Sequence, residues 1–109
     1  LAVFSTSRYS VTEGVAPDPA GGADPWAGLA EHSFIDGATG VAGTTRMIMI
    51  KTWDQKGYVR FSYDGVNYGD GILFDPDHPP IWLWYSAQKF QIRNETAGNN
   101  CNYSVEGYW

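Results

Sequence analysis

The sequence predicts an all-β fold: a single antiparallel β-sandwich, jelly-roll-like, with an irregular N-terminal arm. Three observations carry this expectation. Short runs of alternating apolar and polar residues recur along the chain, about eight in all, and turn residues close each one. The 13 Gly and 6 Pro are spaced so that neither a long helix nor a membrane-spanning run fits between them. The chain has 109 residues, 43% of them apolar or aromatic, which is the size and composition of one domain with one packed core. No unit of roughly 20–50 residues repeats, which argues against a solenoid or propeller.

The first half of the chain is irregular at its start. Residues 2–12 (AVFSTSRYSVT) are rich in β-branched and aromatic types, and Val3, Tyr9 and Val11 share one parity, as in a strand with one apolar face. Residues 13–30 then turn to Gly, Ala, Pro and Asp, a composition unsuited to a core strand. Residues 1–30 therefore read as an arm and loop, and residues 31–109 as the sandwich domain. Within the arm, Asp24-Pro25-Trp26 has the form of a helix start, Asp as cap and Pro in the first turn, with Gly28 limiting any helix to about two turns.

His32–Ile35 reads as a short strand before the loop GATGVAG at 37–43. In residues 44–53 (TTRMIMIKTW), the run Met47–Ile50 suits burial on both faces. Asp54–Gly57 forms a turn, Gly57 being free to adopt positive φ. In 58–63, Val59, Phe61 and Tyr63 alternate with Tyr58, Arg60 and Ser62, so 44–53 and 58–63 read as a β-hairpin. Asp64-Gly65 and Gly69-Asp70-Gly71 are turns, and Ile72–Phe74 is a short strand before the edge-protecting prolines of DPDHPP. Ile81–Tyr85 is apolar on both parities. Lys89–Glu95 sets Phe90 and Ile92 against Lys89, Gln91, Arg93 and Glu95. After a turn at 96–100, Cys101, Tyr103, Val105 and Trp109 alternate with Asn102, Ser104 and Glu106.

Charge narrows the function. A net charge of -5 argues against a phosphate-backbone binder, so no nucleic acid is expected, and no apolar run suggests a membrane partner. Charges come in patches: acidic over 9–45, basic from Arg46 through Lys51 and Lys56 to Arg60, acidic again over 61–88. This suits a solvated surface, or the register of one copy against another. Residues 1–12 lack the pattern of a secretory leader, and Leu1 is expected to reflect a non-standard start codon.

Chemistry is thinly represented. One Cys excludes a disulfide within the chain, and with 2 His it cannot build a Cys/His zinc site. Neither His32 nor His78 sits in a nucleophile–base motif. Cys101 lies on the apolar parity of its strand, as a buried thiol would. Asp64, Asp70, Asp75 and Asp77 fall in or beside turns, where Asp bonds its own backbone. Asp70–Asp77 offers carboxylates for Ca²⁺, but no EF-hand spacing is present. No catalytic residue, cofactor or metal is expected. The triplets Asn94-Glu95-Thr96 and Asn102-Tyr103-Ser104 read as chance matches to a glycosylation motif.

Aromatic residues stand out: 5 Trp, 7 Tyr and 5 Phe make 16% of the chain. Trp82 and Trp84 point one way on their strand, and Ile81, Leu83 and Tyr85 the other. Because Trp and Tyr dominate contact hot spots, Phe4, Tyr9, Trp26, Trp82, Trp84 and Tyr85 are the candidate partner-binding residues, Trp26 as anchor of the arm.

Two resemblances follow from these residues. Ser62-Tyr63-Asp64-Gly65-Val66-Asn67-Tyr68 resembles the Ser-x-Asp-x-Gly-x-x-Trp box of sialidase-like propellers, one residue short between Asp64 and Gly65 and with Tyr68 for Trp. It also looks like a strand–turn of discoidin-type carbohydrate-binding domains. Both imply a structural turn in which Asp64 accepts backbone hydrogen bonds and Gly65 is left-handed.

The order RMIMIKTWDQKGYVRFSYDG, a Pro-bounded strand, KFQIRNETAGNN and a final CNYSVEGYW resembles small virion structural proteins of tailed bacteriophages, over about residues 44–109. The resemblance implies a non-enzymatic capsid decoration (cement) protein, made in the host cytoplasm and carried on the particle surface. Its partner would be the major capsid protein or another virion subunit, its own state a homo-oligomer, a trimer, and its 1–30 arm would order on the shell. A tail, baseplate or fibre component is the alternative within this class. A carbohydrate-binding module using Trp82, Trp84 or Tyr85 as a stacking platform is the alternative from another.

Overall fold

The computed structural model describes residues 9–36, 39–78, 80–98 and 100–109. Among them there is no helix. Eight strands form: β1 (Tyr9–Ala16), β2 (His32–Ser33), β3 (Met47–Thr52), β4 (Gly57–Ser62), β5 (Ile72–Phe74), β6 (Ile81–Leu83), β7 (Lys89–Asn94) and β8 (Cys101–Tyr108). They make two antiparallel four-stranded sheets, ordered β1-β8-β3-β6 and β2-β7-β4-β5. The all-β class expected from the alternating runs is therefore what the chain adopts.

The pairings nest. β1 pairs β8, β2 pairs β7, β3 pairs β6 and β4 pairs β5, so the chain runs out as one ribbon, turns between β4 and β5, and returns along itself. Apart from β4 to β5, each connection carries the chain from one sheet to the other.

This corrects the expected hairpin of 44–53 with 58–63. β3 pairs β6 and β8, β4 pairs β5 and β7, and Asp54–Lys56 bridges the two sheets. Period-two alternation reports that a strand has a buried face, not which neighbour buries it. Here Ile48 and Ile50 of β3 join Val59 and Phe61 of β4 in one core cluster, which also holds Phe74, Phe90, Ile92, Cys101, Tyr103 and Val105. Removing these side chains from water is the main stabilising term, about 1.5–3 kcal/mol for each large one.

Phe34, just past β2, fills the same core, its ring 5.1 Å from Phe90 and 6.4 Å from Phe61. Gly107 makes room for it: a Cβ there would lie 2.6 Å from the Phe34 ring and 2.9 Å from Thr45. Thr45 is itself buried; its hydroxyl donates to the Tyr85 carbonyl (2.9 Å) and accepts from the Ala87 amide (3.1 Å), tying the stretch after β6 to the entry of β3.

The expected arm resolves into two parts. Tyr9–Ala16 is a full edge strand, in register with β8 from Tyr9↔Tyr108 to Ala16↔Cys101. Residues 13–16 thus join a sheet despite Gly14, at its edge rather than its centre. No helix follows Asp24. The Asp24 carboxylate does cap the Trp26 amide (3.0 Å), but only turn bonds follow, Ala27 to Asp24 and Leu29 to Trp26, and Gly28 at φ 75° ends them. The strand expected over 81–85 stops at Leu83. Phe4, Val3 and parts of the loops at 37–38, 79 and 99 lie outside the described residues.

Candidate functional site

The two sheets differ on their outer faces. On the first sheet, register places Tyr9, Val11, Glu13 and Val15 of β1, Ser104, Glu106 and Tyr108 of β8, Met47, Met49 and Lys51 of β3, and Trp82 of β6 on one side. Rings run across this side: Tyr9 stacks on Tyr108 (5.9 Å, 19°), and Tyr108 meets Trp82 (6.1 Å) across β3. Met49 of β3, between the strands that carry Tyr108 and Trp82, is only 4% exposed although it points away from the core.

The strip remains open to solvent. Trp82 is 55% exposed, and Trp84, past the end of β6, is 83% exposed. Tyr9, Val11 and Val15 are exposed as well, as is Trp53 beyond β3, with Lys51 Nζ 5.4 Å from its ring centre. The Tyr108 hydroxyl donates to Glu106 (2.5 Å); burial and that carboxylate push its pKa up to about 12, so it remains a neutral donor.

The outer face of the second sheet is covered over β4 and β7 by the protein's own chain, while Leu73 of β5, on the same side, is exposed. Trp26, from the loop after β1, is 8% exposed. The guanidinium groups of Arg60 (β4) and Arg93 (β7) each lie 4.8 Å from its ring centre. Arg60 also lies 4.7 Å from Tyr68, and Arg93 4.5 Å from Tyr58, so Tyr68, Arg60, Trp26, Arg93 and Tyr58 form one linked cation–π series. The Gln91 amide donates to the Leu29 carbonyl (3.0 Å) and its oxygen accepts from Arg60. Tyr68 donates to Glu31 (2.7 Å). At the loop's start, buried Asn94 donates from its amide to Asp18 (3.1 Å), and its backbone N–H to the Pro17 carbonyl (2.8 Å).

The titratable groups are bound up locally. Asp64 accepts from the Val66 and Asn67 amides, each at 2.8 Å, and from the Asn67 side chain; these bonds hold its carboxyl well below the usual range, and Gly65 beside it sits at φ 81°. Asp75 accepts from the Asp77 amide and lies 3.7 Å from Lys56 and 3.6 Å from His78; its pKa is lowered, the Asp77 bond contributing most. Asp75 and Lys56, with Asp54, Asp77, Glu95 and Thr96, line an open cleft of about 310 Å³. Among the described residues no cluster of His, Cys, Asp or Glu is arranged to hold a metal ion. His32 stacks on Phe90 at 5.0 Å, and burial lowers its pKa. Cys101 is fully buried beside Thr52 and the Gln55 carbonyl, and burial pushes its thiol pKa up.

Of the six residues the sequence singled out, Tyr9 and Trp82 share the first sheet's outer face, Trp84 is exposed next to it, and Phe4 lies outside the described residues. Tyr85 is partly exposed but leans on Phe61 (5.4 Å), toward the core side. Trp26 is corrected: it does anchor the loop, but to Arg60 and Arg93 of its own sheet, and presents little surface to a partner. Sequence reasoning missed Tyr108, which lies in the strip, and Trp53, exposed past the end of β3. Tyr108 follows from the alternation of β8 (Ser104, Glu106, Tyr108); Trp53 had no local signal beyond its ring.

Comparison of the chain with protein-family profiles, with curated proteins and with solved structures gives no match.

Proposed function

We propose that this chain is a non-enzymatic structural protein of a tailed-phage particle, a decoration protein that lies on the head shell through the outer face of its first sheet. The observation that carries the reading is the asymmetry of the two outer faces. One is covered over β4 and β7 by the Trp26 loop, with Leu73 exposed at its edge strand, while the other presents Tyr9, Tyr108 and Trp82 in a strip with Trp84 exposed just past β6. Grouped exposed rings of this kind mark interaction surfaces. A flat sheet face suits another extended protein surface, whereas small molecules are held in concave pockets with convergent polar groups.

The finer fold belongs to the same reading. We read it as a jelly-roll sandwich, an architecture that recurs in viral capsid and lectin domains; the β1-β8-β3-β6 and β2-β7-β4-β5 sheets, with their nested pairing, support that reading. That recurrence is analogy between folds and supports the class, not the partner. Many copies on a shell make modest contacts count, because each additional attachment is effectively intramolecular.

The test is rebinding. Purified chain added to phage heads that lack it should co-sediment to saturation and raise their heat tolerance; heads that neither bind it nor gain tolerance contradict the proposal. The glycan-platform reading rests on the exposed Trp82 and Trp84 rings, which could stack on sugars. It is favoured instead if oligosaccharide, and not heads, changes the tryptophan fluorescence.

A further inference from the structure

The four sheet edges are unequal. β2, β5 and β6 are two or three residues long, and Pro76 and Pro80 flank β5 and β6. Such short, proline-bounded edges resist pairing with another chain. β1 is the exception: eight residues, Tyr9–Ala16, containing neither Pro nor Lys nor Arg and, among the described residues, paired to β8 alone. Its side chains at Tyr9, Val11 and Val15 are exposed. Backbone donors and acceptors along such an edge call for a strand as their partner.

We propose that this strand is supplied by a second copy of the same chain: two copies join antiparallel through β1, with Thr12 opposite the partner's Thr12 on a two-fold axis. The register follows from faces and charge. To keep both outer faces on one side of the joined sheet, odd-numbered residues must oppose odd-numbered ones. Two such registers overlap β1 almost fully. One sets Glu13 directly against the partner's Glu13, a repulsive pair. The other sets Glu13 against the partner's Val11 and Tyr9 against the partner's Val15, and leaves no like charges opposed. The second is the assigned one. It joins two four-stranded sheets into one of eight strands and brings two aromatic strips edge to edge on a single face. An antiparallel, isologous pair closes at two copies; a trimer requires a different surface. This pairing does not depend on what the aromatic face binds, so its failure leaves the shell-binding proposal standing, and the reverse holds.

The experiment is sedimentation equilibrium of the full chain with two variants at one exposed site. The wild type should associate to twice the 12.0 kDa chain mass. Val11→Glu places a carboxylate opposite the partner's Glu13 twice per dimer and should weaken the dimer about tenfold. Val11→Lys places an ammonium there and should leave it as tight or tighter. Circular dichroism checks that both remain folded. Independently, Thr12→Cys should form an interchain disulfide on mild oxidation, and Ser10→Cys should not. A wild type that stays monomeric or forms trimers, a dimer indifferent to Val11→Glu, equal weakening by both Val11 variants, or cross-linking at Ser10→Cys in place of Thr12→Cys overturns the proposal.

Discussion

The guanidinium of Arg60 lies 4.8 Å from the ring centre of Trp26, and this contact joins a loop that forms no strand to a strand of the second sheet. Arg93 makes the equivalent contact from the neighbouring strand, at the same distance. Residues 24–31 are thereby held on a sheet face that would otherwise expose Tyr58, Arg60, Gln91 and Arg93.

Trp26→Ala removes the shared element of that series. The expected loss of stability is about 2–4 kcal/mol, the range for deleting a large buried aromatic together with its cation contacts. Denaturant unfolding measures it. A broad-specificity protease should also cut the variant within 17–31 faster than the wild type, because the loop loses its attachment while the sheets keep theirs.

Gly107 tests the packing of the core against the end of β8. Gly107→Ala drives a methyl into Phe34 and Thr45, both buried, and should cost about 1–3 kcal/mol as overpacking. Gly21→Ala is the matched control. Nothing lies within 4 Å of a Cβ there, so thermal or chemical unfolding should register a change within about 0.5 kcal/mol.

His32 gives the fold a pH dependence of known sign. Burial lowers its pKa below the ordinary 6.5, so between the folded-state pKa and 6.5 the unfolded chain binds more protons than the folded one. Its contribution is fully present above pH 6.5 and declines as the pH falls through that window. His32→Phe retains a ring to stack on Phe90 and should flatten the stability profile there. An unchanged slope in urea titrations across the window would contradict this.

Local pattern made the strands legible. Val59 and Phe61, Phe90 and Ile92, and Cys101, Tyr103 and Val105 are buried as their alternation implied, and the Asp64-Gly65 turn follows from its residue types. Pairing was not legible, because alternation in β3 and β4 is the same whether they lie side by side or face each other across a core. The fate of Trp26 was hidden for a related reason. Its partners, Arg60 and Arg93, stand on the polar parity of distant strands, where a local window reads them as solvent-facing. Asn94 falls on the apolar parity of β7, and its role in holding Pro17 and Asp18 depends on a contact 76 positions away.

The most direct test of the exposed aromatic face is the affinity of the double variant Trp82→Ala/Trp84→Ala for phage heads that lack this chain, measured against the wild type by co-sedimentation. Two exposed rings of a hot-spot type are removed, so binding should weaken at least about thirtyfold, while loss of the Trp82–Tyr108 contact should cost only about 1 kcal/mol of stability and leave the chain folded. Wild-type affinity in a folded double variant would contradict the proposal that this face meets a shell.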